Sequence, residues 1–452
     1  MPDLQQQNIG NSSYTYKDFL LSRNIENKLS TEYGKRLAQD IESKYSASSA
    51  NTYTFLRNER FKTNIQWSSG KINVYQKFAD LTGLNGKINY ANLKWSALML
   101  VNRIISGEVG RWMQRQEKIQ VTAIDPTSVQ AKKDQYAQAE FVLYNRQQLE
   151  TLQQESGVPM IAPDQFVAED KDDLEEWSAL GQQLPEEISY ELGVNNILQS
   201  QGFFDVLKEK ILHDSAECGL VGTYVYMDDF GVIHVEWVKS ENSIYSNSEY
   251  PDFRDTAYRG FVKSMKITEL RRKYGREFGG PLSEEQLWQI AQTAKEYQKS
   301  DKLVWVDTWI NTFYRPYDEW NIDVIYFWLK SVDKDGYVVT VTKGNKSTLL
   351  KRSGKPIKLD DNQEYKDDDH WNIYKGVYAK DANVILEWGL DKNMIRPQDP
   401  KESGDVEFPV SFYMYQNQDM RNVAIPEKIE EPVKQMILVR KRMQQLVSLM
   451  IP

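Results

Sequence analysis

Cysteine is nearly absent from this sequence, because Cys218 is the one cysteine among 452 residues. A single cysteine cannot form an intrachain disulfide, so the chain is not built around bridges for an oxidising compartment. The first residues lack the cationic and apolar stretches of a signal peptide. The apolar-rich windows at 93–105 and 433–451 are interrupted by polar or charged side chains, so neither is a transmembrane span. We therefore expect either a soluble intracellular protein or one that is assembled inside a cell.

Histidine and catalytic motifs are also scarce. His213, His234 and His370 do not stand at metal-ligand spacing from one another. Two groups are candidate sites. Metal binding is conceivable at the Asp-Asp-Asp-His run at 367–370, but we favour a solvated loop. Glu209 and His213 fall on one helix face, and we favour an ordinary helix surface for them. The sequence contains no P-loop, dinucleotide fingerprint, nucleophile elbow or kinase signature. We predict no catalytic residue, metal or cofactor and no enzyme, although the many carboxylates leave a nuclease-like acid pair open.

Positive charge is in deficit, since 65 acidic against 56 basic residues give a net charge of -9. This balance argues against a generally basic nucleic-acid binder, but it permits a conduit that lets DNA pass without gripping it. Acidic residues concentrate at 162–187, which we interpret as a solvated insertion or lid. Calcium binding is disfavoured there because the spacing and central glycine of a calcium-binding loop are missing. Aromatic residues are plentiful, with 12 tryptophans and 26 tyrosines, and they suit a core or subunit interfaces.

The first 300 residues begin with a polar, flexible arm at 1–50, which holds one helix at 31–45. The elements predicted after the arm are helices at 92–112, 131–155, 267–274 and 283–299, two helices within 187–218 that separate near 201–202, a strand at 118–123, and a hairpin of strands 223–227 and 232–238. Ser283 with Gln286 forms a capping-box pattern. The apolar side of the helix that it opens holds Leu287, Ile290, Ala291 and Ala294.

The pattern changes near residue 301, where we place a domain boundary. The predicted strands beyond it lie at 304–314, 322–329, 337–342, 373–378 and 384–388. Turns are expected at Asp335-Gly336 and Gly344-Asn345, and a polar loop at 351–370. The sequence therefore predicts an α+β fold in which a β-rich module lies between helical segments.

A long helix is predicted at 426–450. Its apolar residues at helical spacing are Ile429, Val433, Met436, Ile437, Met443, Leu446, Val447 and Met450. Pro426 suits the first turn, whereas Pro432 should kink the helix or delay its start. Segment 421–452 is basic, with a net charge of +3. Two interpretations stay open: an ordinary amphipathic helix, or a helix that packs on neighbours with one side and lies near nucleic acid with the other. Because the chain ends on an apolar helix, we expect the natural product to be longer.

Several segments resemble the portal proteins of short-tailed bacteriophages, in particular those of crAss-like phages. They are FLRNERFKTNIQW at 55–67, NLKWSALMLVNRIISGEVGRWMQRQEKIQVTAID at 92–125, DSAECGLVGTYVYMDDFGVIHVEWVKSENSIYSN at 214–247, YPDFRDTAYRGFVKSMKITELRRKYG at 250–275 and DVEFPVSFYMY at 405–415. These patterns are moderately specific and extend over most of residues 50–450. The acidic stretch at 162–187 has no counterpart in the family.

The resemblance implies a portal-like α+β layout: a flexible arm at 1–50, a wing at 51–265 that contains the acidic insertion, stem helices at 266–300, a β-rich clip at 301–412, and a returning stem or tunnel helix at 413–452. It implies a homo-oligomeric ring of twelve copies at the unique capsid vertex of the virion, assembled in the host bacterial cytoplasm. Genomic double-stranded DNA would pass through this ring, without sequence specificity, during packaging and ejection.

The partners that the resemblance implies are the major capsid protein, the terminase large subunit, and later the tail or adaptor ring proteins. The candidates for the DNA channel are Lys434, Arg440, Lys441 and Arg442. Two rival functions stay open, another head-to-tail connector or adaptor of the virion and a nuclease of the packaging machinery. The missing P-loop argues against a packaging motor.

Overall fold

The computed structural model describes residues 28–45, 53–72, 99–115, 117, 119–156, 166–228, 230–300, 321–342, 345–347, 363–380, 382–394, 406–414 and 423–450. These residues form an α+β fold with two antiparallel sheets. The chain divides into two compact units. We call residues 1–113 with 207–452 the large unit, and residues 114–206 the small unit.

The elements follow in chain order. The helices are α1 (Thr31–Tyr45), α2 (Tyr53–Ser68), α3 (Leu100–Met113), α4 (Pro126–Ser156), α5 (Lys171–Glu176), α6 (Pro185–Ser200), α7 (Lys208–Glu217), α8 (Ile267–Tyr274), α9 (Glu284–Ser300) and α10 (Ile425–Met450). The strands are β1 (Leu220–Met227), β2 (Ile233–Val238), β3 (Ser243–Tyr245), β4 (Tyr258–Lys266), β5 (Asn321–Thr342), β6 (Asn345–Ser347), β7 (Gln363–Ala379), β8 (Val384–Leu390) and β9 (Val410–Met414). The predicted α+β class is confirmed at this level, and the predicted strand at 304–314 lies outside the described residues.

The larger sheet has the order β3-β4-β5-β7-β8, with β6 paired to β5. Its centre is rich in β-branched and aromatic residues, which pack well on a pleated surface. Strand β5 is 22 residues long, and it pairs with β7 without interruption from Val324 opposite Ala379 to Thr340 opposite Gln363. The central part of β5 is therefore buried, and Phe327 and Trp328 are fully inaccessible.

Two predictions in this region are wrong. Asp335 and Gly336 do not form a turn but lie inside β5, opposite Asp368 and Asp367 of β7. The predicted polar loop at 351–370 is strand from Gln363 onward. In both cases the long, regular ladder between β5 and β7 satisfies the backbone groups, and this pairing outweighs the local turn preference.

The smaller sheet has the order β2-β1-β9. The predicted hairpin is confirmed, since β1 pairs with β2 from Gly222 opposite Val238 to Met227 opposite Ile233. The Asp228 carboxylate accepts hydrogen bonds from the backbone N–H groups of Phe230 and Val232, at 3.0 and 2.8 Å. Gly231 adopts a φ of 81°, which glycine takes without the steric cost of a side chain.

One hydrophobic core joins the two sheets with α8 and α9. Tyr224 of β1 lies with its ring 5.3 Å from Phe261 of β4 and 5.1 Å from Trp328 of β5. The capping box is confirmed, because Ser283 N–H donates to Gln286 Oε1 and Gln286 N–H donates to Ser283 Oγ. The helix that it opens buries Leu287, Ile290 and Ala291 in this core, whereas the side chain of Ala294 is outside the described part.

Asp214 of α7 lies at the junction between the helix and the smaller sheet. Its carboxylate accepts hydrogen bonds from Trp237 Nε1 (3.1 Å), Ser240 N (3.0 Å) and Ser240 Oγ (2.9 Å). Burial raises its pKa from 3.8 to about 6, against the lowering effect of these hydrogen bonds, and the charge of Glu217 adds to the rise. The folded protein therefore binds this proton more tightly than the unfolded chain does.

We expect Asp214→Asn to change how stability depends on pH. Because the folded pKa is raised, the stabilisation from Asp214 is fully present below its ordinary pKa of 3.8 and is lost as the pH rises through about 6. A rise of about two pKa units corresponds to on the order of 3 kcal/mol. Thermal melts across this pH window should show D214N gaining stability relative to wild type as the pH rises. A difference between D214N and the wild type that stays constant at every pH would refute the assignment.

Residues 28–45, which were predicted to belong to a flexible arm, are packed against the larger sheet. The predicted helix is confirmed as α1, and it packs on β5, β7 and β8, where Leu37, Ala38 and Ile41 are buried. Before the helix, the Lys28 ammonium is inaccessible and lies 2.7 Å from Asp333 Oδ1. The prediction of a mobile segment is wrong here because the apolar side of α1 covers the face of the larger sheet.

A second core in the large unit is built from helices α2, α3, α7 and α10. Trp67, Val101, Ile105, Ala216 and Ile437 are each 0–1% exposed there. The predicted helix at 92–112 is described from Leu100 onward, and Val101, Ile105 and Val109 form its buried face. This core fixes one side of α10 against the rest of the unit.

The small unit contains α4, α5 and α6. The predicted helix at 131–155 is confirmed and begins earlier, at Pro126. Glu187, at the end of the predicted acidic insertion, is not solvated: it is 1% exposed, pairs with Lys132 Nζ at 2.7 Å and accepts the N–H of Ala123. The predicted strand at 118–123 is absent from the described residues 119–123, whose backbone at Ala123 is bonded to a side chain instead.

The predicted boundary near residue 301 does not separate compact units. Strand β4 precedes it and β5 follows it, yet they pair over nine positions, from Tyr258 opposite Leu329 to Lys266 opposite Asn321. The described sheet therefore joins the predicted wing to the predicted clip. The small unit at 114–206 is the part that separates from the rest of the chain, and the wing, stem and clip bounds stay predictions.

Candidate functional site

Helix α10 carries all four residues that were predicted to lie near DNA. It begins at Ile425, so Pro432 does not delay its start, and Pro432 lies inside the helix. The first turn is held by Glu427, whose Oε1 accepts hydrogen bonds from Arg60 Nε at 3.0 Å and Asn64 Nδ2 at 2.9 Å. Both partners belong to α2, so the beginning of α10 is fixed to the large unit.

One side of α10 is packed into the helical core. Val433 is 3% and Ile437 is 1% exposed, and Ile425, Ile429 and Leu438 are partly buried against the same core. Residues four apart lie on one face of a helix, and burial of each such side chain contributes about 1.5–3 kcal/mol. This side therefore serves folding of the subunit.

The opposite side of α10 presents apolar residues to solvent, and we call it the apolar stripe. Its members are Met436, Val439, Met443, Leu446, Val447 and Met450, each 53–80% exposed. Their spacing of three and four residues places them on one face of the helix. A groove of about 880 Å³ runs along this face. Single exposed apolar residues are common, but a continuous set of this kind marks an interaction surface.

The structure separates the four basic candidates. Arg440 and Arg442 are exposed. At 3.6 residues per turn, they fall on opposite borders of the apolar stripe, and Met443 lies between them around the helix axis. Their guanidinium groups are therefore placed to contact phosphate or carboxylate groups at the edges of whatever covers the stripe.

Lys434 and Lys441 are less suited to bind DNA. Lys434 Nζ pairs with Glu430 Oε1 at 3.1 Å and Glu431 Oε2 at 3.5 Å. Partial burial lowers its pKa, but the hydrogen bond to Glu430 and the charges of both glutamates raise it by more. Lys441 is 7% exposed and donates to Gln444 Oε1, and burial lowers its pKa with help from the charge of Arg440. Lys441 falls on the packed side because it follows Ile437 by one turn.

Two of the histidines lie beside carboxylates, and the cysteine is buried. His213 Nδ1 lies 3.8 Å from Glu217 Oε1, and His234 Nε2 lies 3.1 Å from Asp228 Oδ2 in the hairpin turn. Cys218 is buried, and burial raises the pKa of its thiol. In the part of the chain that the structure describes, no three His, Cys, Asp or Glu residues are grouped so that they could hold a metal. The side chain of His370 lies outside the described part.

Sequence reasoning identified most of the apolar stripe as helical, but it did not separate the stripe from the buried side and it missed Val439. The signal that could have separated them is the helical register: the position of each residue around the helix axis, relative to Val433 and Ile437, assigns it to the buried or to the exposed side. None of the described helices is long and apolar enough to cross a membrane. No model of a known protein family matches the sequence, and no curated protein matches it.

Proposed function

We propose that this chain is a structural subunit of a portal ring, present in twelve copies at the unique vertex of a tailed-phage capsid, through which genomic DNA is packaged and ejected. The observation that carries the proposal is helix α10, which is anchored in the subunit by one side and presents the apolar stripe, bordered by two arginines, on the other. The resemblance of segments such as 92–125 and 214–247 to portal proteins supports the same function.

The occupant of the apolar stripe is a second copy of this chain. A closed ring forms by head-to-tail contacts, which require two different surfaces on every copy. The stripe supplies one such surface on the large unit. The small unit also exposes large apolar residues, Phe141 and Tyr144 of α4 and Tyr190 and Leu192 of α6, which are 58–70% exposed. Exposed aromatic residues of this kind are typical anchors of subunit interfaces.

The arginines at the borders of the stripe give the ring its contact with DNA. The rim of an apolar interface stays accessible and polar, so Arg440 and Arg442 can reach phosphates when the stripe is covered. Phosphate contacts carry no sequence information and weaken with salt. The net charge of -9 keeps the remaining surface from holding DNA, which suits a conduit.

The proposed partners follow from this role. They are further copies of the chain, genomic double-stranded DNA, the major capsid protein, the terminase large subunit, and tail or adaptor ring proteins. The proposal requires no cofactor and no catalytic residue. The subunit would be assembled in the host bacterial cytoplasm and would remain in the virion.

We expect the double substitution Arg440→Gln with Arg442→Gln to weaken retention of linear duplex DNA by the assembled protein. Each phosphate contact that is lost should reduce the slope of log affinity against log salt by about 0.9. Filter retention of the duplex over a salt series measures both effects.

The matched control is Lys434→Gln on the same helix, since Lys434 already pairs with Glu430 and Glu431. It should leave both the retention and its salt dependence close to wild type. Equal losses in the control and in the arginine variant would refute the assignment of Arg440 and Arg442, and assembled wild-type protein that retains no duplex would refute the proposed role in DNA passage.

A further inference from the structure

The hairpin of β1 and β2 carries apolar residues on the side that faces away from the core. Tyr224 of β1 is buried in the core, so Val225 and Met227, at odd positions of the same strand, lie on the opposite face. Their cross-strand partners Val235 and Ile233 share that face. The outer face of an antiparallel sheet is ordinarily polar where it meets water. Four apolar residues at this place therefore depart from the usual pattern.

The end of the hairpin extends this apolar face, and we call the whole set the hairpin patch. Its members are Val225, Met227, Phe230, Val232, Ile233 and Val235. Phe230, in the turn, is 93% exposed, and Val225, Met227 and Val232 are 39–55% exposed. Single exposed apolar residues are ordinary, but a set that is gathered at one end of a hairpin marks a contact with another molecule.

The turn beside the hairpin patch is acidic. It contains Asp228 and Asp229, and residues 224–233 include no lysine or arginine. The hydrogen bond from His234 holds the pKa of the Asp228 carboxyl below its ordinary value of 3.8, so this group is charged at neutral pH. Carboxylates repel phosphates, which disfavours nucleic acid and anionic lipid as partners. An apolar surface that is bordered by basic groups fits the patch better.

The groove along α10 has this complementary chemistry. Met436, Val439 and Met443 line it together with Arg440, and Arg442 is exposed on the other border of the apolar stripe. Both arginines lie near the middle of the stripe, so pairing of two stripes would bring like charges together and is disfavoured. The hairpin turn meets the same arginines with opposite charge. Because groove and hairpin patch are both exposed in the folded subunit, they do not cover each other within one chain.

We propose that the hairpin patch of one copy fills the groove along α10 of the next copy. The proposal rests on the proposed function, in which a second copy covers the apolar stripe. Phe230 enters the groove among its apolar side chains, and the turn carboxylates pair with the guanidinium groups at the border. A guanidinium has five N–H donors, so Arg440 and Arg442 can pair in this way and still contact a DNA phosphate. Every copy then uses one hairpin and one groove, which is a head-to-tail contact.

Two variants of the full chain, purified separately and then mixed, test the proposal. The hairpin variant is Met227→Lys with Phe230→Lys, and the groove variant is Val439→Lys with Met443→Lys. All four positions are 55–93% exposed, so both variants should fold. Each variant alone should need a concentration more than about 100-fold above that of wild type to assemble, because two apolar side chains are lost from the contact.

The equimolar mixture should form a 1:1 dimer, because it retains one intact hairpin and one intact groove. Native mass spectrometry at about 100 μM detects such a dimer if the Kd of the single contact is of that order or lower. The lysines on the two altered surfaces repel each other, so these surfaces do not pair. Phe230→Leu is the matched control, since it keeps an apolar side chain in the turn, and it should assemble like wild type.

A hairpin variant that assembles at wild-type concentrations would overturn the proposal, and so would a mixture that stays monomeric while the wild type assembles. If the wild type forms rings in either case, the proposed function stands and another surface covers the stripe. Open chains of wild type that the hairpin variant does not form would support the contact and contradict the ring. A monomeric wild type would overturn both. If circular dichroism shows that the hairpin variant is unfolded, Phe230→Lys alone decides, because this side chain is almost fully exposed.

Discussion

Replacing Lys28 by methionine should lower the free energy of unfolding by about 3–5 kcal/mol, because it leaves a buried carboxylate without its counter-ion. Lys28 and Asp333 are both fully inaccessible and lie 2.7 Å apart. The Lys28 ammonium also donates to Ser331 Oγ and to the carbonyl oxygen of Val332, each at 2.8 Å. The second oxygen of Asp333 accepts from Asn372 and Tyr374.

This network attaches the segment before α1 to the middle of β5, so its loss should lower the stability of the larger sheet. Urea denaturation followed by tryptophan fluorescence measures it, since Trp328 and Trp388 lie in this sheet. The control is Lys62→Met, which removes an exposed pair with Glu59 and should cost no more than about 0.5 kcal/mol. Adding Asp333→Asn to Lys28→Met should recover part of the loss, since no unpaired charge then stays buried. A Lys28→Met variant as stable as the control would show that the pair does not hold α1.

Placing two carboxylates on the apolar stripe should abolish assembly of the ring. The variant is Met443→Glu with Leu446→Glu, at two positions that are 61% and 58% exposed in the isolated subunit. In the isolated subunit the glutamates stay in water and folding is unaffected, whereas in a subunit interface they must be desolvated without partners. The loss of two buried side chains alone, at about 1.5–3 kcal/mol each, should raise the concentration needed for assembly by more than about 100-fold.

Light scattering across a concentration series measures the mass of the assembled species. Met443→Leu is the matched control, because it keeps an apolar side chain of similar volume at the same position, and it should assemble like wild type. A double glutamate variant that assembles at wild-type concentrations would show that the stripe lies outside the subunit contact, even if rings form through another surface.

Local sequence patterns were sufficient to predict many of the helices and strands. The helices at 31–45 and 267–274 have their apolar residues on one face, and the hairpin around Asp228 and Gly231 has the turn residues that its geometry needs. The capping box of Ser283 and Gln286 marks the start of α9 by a spacing of three residues. All of these signals lie within a few residues of the element that they specify, so a single sequence was sufficient to predict them.

The remaining features depend on contacts between residues that are distant in the sequence. Lys28 meets Asp333 across 305 positions, and no local signal indicates that a lysine in a polar arm is buried. The run through Asp335 and Gly336 has the composition of a turn, but its pairing with β7 makes it strand. Glu187 belongs to an acidic segment, yet Lys132 and the N–H of Ala123 hold it in a buried position.

The candidate site was predictable in its residues but not in their orientation. The helix and its basic character followed from spacing and charge. The distinction between exposed Arg440 and Arg442 and buried Lys441 required knowledge of which side packs on α2, α3 and α7. A cleft of about 630 Å³ between the two sheets had no sequence signal, since its lining comes from seven elements, the turn at Asp228 and the segment after β8. Only the pairing of both sheets within one core brings these residues together.

Negative-stain electron microscopy of the purified full chain at micromolar concentration tests most directly whether this chain is a ring subunit. Closed rings of twelve copies are expected, with a central opening wide enough for duplex DNA, because each subunit presents the apolar stripe on one unit and exposed aromatic residues on the other. A population of monomers or dimers at the same concentration, without rings, would contradict the proposed function.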